Sequence, residues 1–165
     1  MSLLVRKINK AKWLQINIEQ DSDVSADAIT NCLRTSNNCL SVWCIKSLEK
    51  VEEAALALAA NQDHLETIDI VVLEEESLTS NKIDIVKTDG ETPVNDLIGR
   101  HRDISELTYA KLGVVKNLIV DSIRKDKVKR YTKSDLKKIL LSSIREGKLE
   151  SARLKESVRK KIDNS

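Results

Sequence analysis

The sequence predicts an α+β fold: a small mixed β-sheet with a βαβ unit and flanking helices, followed by a C-terminal helical segment. Three observations carry that reading. A buried-strand run, TIDIVVL at 67–73, follows an apolar stretch, CLSVWCIK, with an alanine-rich helical pattern between them. TDGETP at 88–93 supplies the one break where glycine and proline stand together. Beyond that break, apolar residues recur at helical spacing to the end of the chain.

The elements follow in order. LLVRKI and WLQINI each read as a strand, the second because Leu14, Ile16 and Ile18 alternate at period two. Ser25 caps a helix over 26–34 whose inner face is Ile29, Cys32 and Leu33. Asn37-Asn38 supplies turn chemistry before a strand at 39–46. Odd spacing puts Cys39 and Cys44 on opposite faces of that strand, so the pair reads as small core residues and not as a metal or disulfide pair. Ser47 caps a helix over 48–60, Asn61 ends it, and TIDIVVL follows, so strand, helix and strand form a crossover long enough for parallel pairing. After the Ser80-Asn81 turn comes a shorter strand, IDIVK.

Thr92 and Pro93 start the helical part, with Val94, Leu97, Ile98 and His101 on one face. Asp103 with Glu106 reads as a restart, and Ile104, Leu107, Val114, Val115, Leu118 and Ile119 carry the pattern to about residue 125. Thr132 with Asp135 is a second capping box, ahead of Leu136, Ile139, Leu140 and Ile144, and Gly147 stops that helix. The last helix, 150–162, keeps a thin stripe of Leu154, Val158 and Ile162. Two units are therefore expected: 1–91, an acidic mixed-sheet domain, and 92–165, a basic helical region that packs on it or stands beside it.

Charge divides the chain more sharply than its net value of +2 suggests. Residues 124–161 hold fifteen Lys or Arg against five acids, a local excess of +10 that leaves −8 for the remainder. Between residues 48 and 78 the only base among nine acids is Lys50. A basic helical segment docks on an acidic partner, contacts phosphate backbones through counterion release, or serves as a solvated face. KDKVKRYTK precedes the Thr132-capped helix, where backbone N–H groups and cations together attract anions. Lys127, Lys129, Arg130, Lys133, Lys137 and Lys138 are the expected partner-binding or phosphate-binding residues.

Other chemistries find little support. Four glycines provide no phosphate loop, and His101-Arg102-Asp103 matches a kinase catalytic loop by letters only, its plain reading being a helix restart. Glu74, Glu75 and Glu76 with Asp69 and Asp84 are a conceivable magnesium site, but no acid stands two residues before Lys87. His64 and His101 lack a neighbouring ligand, and no cofactor is implied. Four aromatic residues, none of them Phe, weigh against recognition of single strands by stacking. A helix-turn-helix over the last three helices would offer Arg153, Lys155, Arg159 and Lys160, with no Asn or Gln to read adenine.

No apolar run is long enough to span a membrane, the start lacks a signal-peptide pattern, and three cysteines cannot close a disulfide framework. The cytoplasm is the expected address. The expected function is non-enzymatic: an accessory or assembly subunit binding a protein partner, or self-associating head to tail through its oppositely charged ends. The alternatives are nonspecific nucleic-acid binding through residues 124–161 and a small metal-dependent hydrolase or nuclease on the sheet.

Overall fold

The strand runs seen in the sequence form β1 (Leu3–Ile8), β2 (Leu40–Ile45), β3 (Ile68–Glu74) and β4 (Asp84–Lys87). The computed structural model describes residues 2–15 and 23–163. Two more strands, β5 (His101–Ser105) and β6 (Val128–Tyr131), arise where the periodicity reads as helix and as loop. The six pair in the order β4-β5-β2-β1-β3-β6, and every neighbouring pair is antiparallel.

The α+β class holds, with two corrections to the sheet. The crossover from β2 through helix α3 (Val51–Ala60) to β3 is present, but β1 lies between the two strands and pairs with both. β2 and β3 thus run parallel without touching, and the sheet is antiparallel where a mixed one was expected. The second correction concerns residues 94–105. The helical spacing there yields only a single turn, α5 (Asn95–Ile98), with Val94 and not Thr92 at its N-cap. His101 to Ile104 pair with β2 on one side, and the same strand pairs with β4 on the other, so tertiary pairing overrides the local pattern. Asp103 and Glu106 form no capping box. Glu106 adopts φ 51° in the turn, and Thr108 caps α6 (Tyr109–Arg124) by accepting from the Lys111 amide.

Period-two alternation splits the sheet side chains between two cores. On one face Val5, Trp43, Ile45, Ile68, Ile70, Val72 and Tyr131 meet α3, α5, α7 (Lys133–Arg145) and α8 (Glu156–Asp163). On the other, Leu4, Ile8, Leu40, Val42, Val71, Leu73 and Ile104 meet α1 (Lys10–Trp13), α2 (Ala26–Cys32), α4 (Glu75–Thr79) and α6. α3 is apolar almost all round because it lies between the sheet and α7. Strands and helices on both sides of residue 92 share these two cores.

Several local readings hold in detail. Ser25 caps α2 by accepting from Ala28 N–H. The Thr132–Asp135 box closes in both directions, and Gly147 takes φ 71° to end the turn after α7. Asn37 and Asn38 turn at φ 51° and 58° into β2, an inner strand with Cys44 against one core and Trp43 against the other. Ser47 makes no side-chain cap, and a 3-10 turn, Leu48–Lys50, precedes α3. Of WLQINI, Trp13 belongs to α1 and is fully buried, while residues 16–18 lie outside the described residues.

The thin last stripe docks because polar contacts reinforce it. Leu154, Val158 and Ile162 are all buried, His64 Nδ1 meets Ser157 Oγ at 2.9 Å, and Arg153 donates to Asn95 Oδ1 at 2.7 Å. Among the described residues, no helix is long and apolar enough to cross a membrane.

One backbone position gives a stability prediction. Lys82 sits at φ 57° in the turn before β4, a left-handed conformation that costs a non-glycine residue about 1–2 kcal/mol. Lys82→Gly is expected to stabilise the fold by about 0.5 kcal/mol once glycine's greater unfolded-state freedom is set against that relief. Urea denaturation measures it, and a loss of stability would contradict the assignment of strain to this turn.

Candidate partner-binding surface

KDKVKRYTK folds as the end of α6, a tight turn, and β6. Asp126 turns the chain at φ 54°, and the Lys127 amide donates to the Ser122 carbonyl, which ends the helix. Val128 and Tyr131 are then drawn against the two cores, and the residues between them form an edge strand on β3. An extended strand sends Lys129 and Arg130 to opposite faces of the sheet.

The six expected cations therefore divide. Arg130 forms a two-point ion pair with Asp69, Nε to Oδ1 at 2.7 Å and Nη2 to Oδ2 at 3.0 Å. Lys127 binds Glu74 at 2.7 Å. Lys129, Lys133 and Lys138 are exposed and have no carboxylate within ion-pair distance among the described residues. Lys129 lies over the Tyr131 ring, 5.0 Å from its centroid, and Lys137 is half-buried on α7.

Two of the four cations expected around the start of α7 are committed elsewhere, Lys127 to Glu74 and Arg130 to Asp69, and Asp135 caps that end itself. Its Oδ2 accepts from the Thr132 amide at 2.9 Å and from the Thr132 hydroxyl at 2.7 Å, and these bonds hold its carboxyl below the usual range. What the structure assembles instead is a groove of about 470 Å³ beside β6, lined by Lys129, Arg130, Tyr131 and Lys138 together with Glu52 and Asp135. The buried Tyr131 hydroxyl has no hydrogen-bond partner among the described residues. Burial pushes its pKa up, and nearby Lys129 opposes that shift.

Asp69 anchors this edge. It is 7% exposed, and the Arg130 guanidinium, with help from the Lys10 amide, holds its carboxyl below the ordinary carboxylate value although burial acts the other way. A carboxyl whose folded pKa is depressed stabilises the fold above its unfolded pKa of about 3.9, and that contribution is lost as pH falls further through the folded value. Asp69→Asn is expected to flatten this part of the acid-unfolding curve and to weaken stability at neutral pH. An unchanged acid limb, followed by circular dichroism, would remove the ion pair from the account.

The alternative chemistries find less. Asp69 and Glu74 stand at opposite ends of β3, and Asp84 lies on the far edge strand. Among the described residues, no group of three or more His, Cys, Asp or Glu is placed to share a metal ion. The three helices read as a helix-turn-helix are not consecutive, since β6 lies between α6 and α7.

Sequence reasoning missed a cleft of about 670 Å³ at the end of the sheet, lined by Lys7, Ser41, Trp43, Thr88, His101 and Asp103 among others. His101 Nδ1 meets Thr88 Oγ1 at 2.7 Å, the ring stands edge-on to Trp43 with centroids 5.3 Å apart, and burial lowers its pKa. Reading residues 94–105 as helix hid this grouping. The only available signal was the alternation of His101, Asp103 and Ser105.

The architecture is thus an antiparallel sheet between two helical layers, with one basic open edge. Comparison with protein-family models, with curated proteins and with solved structures found no match for this chain.

Proposed function

We propose that this chain is a non-catalytic binding protein, an accessory or assembly subunit whose basic β6–α7 surface engages an acidic partner protein. The observation that carries the reading is the group of Lys129, Lys133 and Lys138. They are exposed and have no ion pair among the described residues; Lys129 stands on the edge strand β6, Lys133 and Lys138 stand on α7, and Lys129 and Lys138 line the groove between them. Charge arranged in this way steers an oppositely charged partner and fixes its orientation.

A protein partner suits the surface better than a nucleic acid. Two of the six cations are already satisfied internally, carboxylates flank the groove, and Tyr131 is buried beneath Lys129 and offers no stacking platform. The test is fluorescence anisotropy with labelled polyglutamate and labelled duplex DNA across a salt series. Binding of polyglutamate with little affinity for DNA supports the proposal. DNA binding whose log–log salt slope is about −0.9 per phosphate contacted transfers the surface to nucleic acid. No binding of either at low salt overturns both readings.

A further inference from the structure

We infer that the acidic partner binds as an extended strand added to the free edge of β6. This rests on the proposed function and specifies its binding mode. The Val72 amide donates to the Lys127 carbonyl, and the β3–β6 register pairs Ile70 with Lys129 and Ile68 with Tyr131. Hydrogen-bonded pairs alternate along an antiparallel ladder, so Lys129 and Tyr131 direct their backbone groups to β3. Val128 and Arg130 direct theirs outward, where no strand lies among the described residues. An incoming strand obtains backbone hydrogen bonds there, the recognition mode of strand addition.

Charge selects the occupant. Lysine and arginine on an edge strand repel a second, identical edge and so guard against self-pairing. β4, the other free edge of the sheet, carries both Asp84 and Lys87 and offers a second copy no net opposite charge. A partner strand with carboxylates at alternate positions places them all on the face that holds Lys129 and the groove bearing Lys138. The ligand class is therefore an extended acidic peptide with period-two carboxylates.

The experiment compares three kinds of labelled probe on the full chain: an alternating Glu/Thr peptide, the same peptide N-methylated at alternate residues in one register or the other, and a peptide of equal composition with its glutamates in one block. Strand addition predicts a loss of about 10-fold or more for the methylated register that faces β6, because methylation removes the N–H donors and leaves the outward carbonyls of β6 unsatisfied while charge is unchanged. It also predicts weaker binding of the blocked peptide. Equal affinity for all three overturns strand addition and leaves charge-driven binding of an acidic partner standing. Failure of every probe to bind at low salt overturns both.

Discussion

Simultaneous replacement of Lys129, Lys133 and Lys138 by glutamate is expected to lower affinity for an acidic peptide by about 100-fold or more. Each exposed charge contributes only modestly, but reversal replaces attraction with repulsion at three positions, two of which, Lys129 and Lys138, line one groove. The fold is expected to survive, because none of the three is committed to an ion pair with a carboxylate among the described residues. Arg130 and Lys127 are deliberately spared. Their charges hold Asp69 and Glu74, and reversing them would confuse binding with loss of the edge strand. Affinity is read by anisotropy at low salt, with circular dichroism showing an unchanged fold. Undiminished binding by a folded triple variant would move the partner elsewhere on the molecule.

Gly90→Ala is expected to destabilise the protein by about 1–3 kcal/mol, the usual cost of forcing extra atoms into a packed site. A methyl at this position would collide with Trp43 Cη2 and come within 2.9 Å of both Trp43 Cζ3 and His101 Cβ. Trp43 is 7% exposed and His101 stands edge-on against it, so relief of the clash requires both rings to shift together. For a chain of this size each kcal/mol corresponds to a fall of about 2–4 °C in Tm. Gly113→Ala is the matched control. It lies within α6 with no atom near enough to obstruct a methyl, and the better helix propensity of alanine is expected to stabilise by about 0.5–1 kcal/mol. If Gly90→Ala proved as stable as wild type, with Trp43 fluorescence unchanged, the packing of this corner would be misplaced.

The fold was legible wherever local chemistry and tertiary packing agree. TIDIVVL is buried on both faces, the Thr132–Asp135 box is read directly from side chains three residues apart, and Gly147 ends a turn that needs positive φ. Alternation placed Cys44 and Trp43 on opposite faces of β2, but Cys39, expected as a core residue of the same strand, lies in the turn before it, half-buried and in neither core. Strand pairing was not legible, because the insertion of β1 between β2 and β3 depends on contacts between residues far apart in sequence. β5 was hidden by a chance helical spacing from Val94 to His101. β6 was hidden by its brevity: two apolar residues among lysines resemble a loop until β3 offers them an edge.

The same distinction applies to the basic surface. Sequence located the charge at Lys127 to Lys138, but it could not say which cations were spent. That depended on Asp69 and Glu74, more than fifty residues earlier, and on Asp135 occupying the start of its own helix. The groove beside Tyr131 emerges only once β6 is a strand and α7 packs back against α3.

The most direct measurement is an amide chemical-shift titration of the isotopically labelled full chain with the alternating Glu/Thr peptide. The account predicts the largest changes at Val128, Lys129, Arg130 and the first turns of α7, with Asp84–Lys87 and the His101 cleft unmoved. Changes centred on His101 and Asp103, or saturating binding that leaves β6 unperturbed, would contradict it.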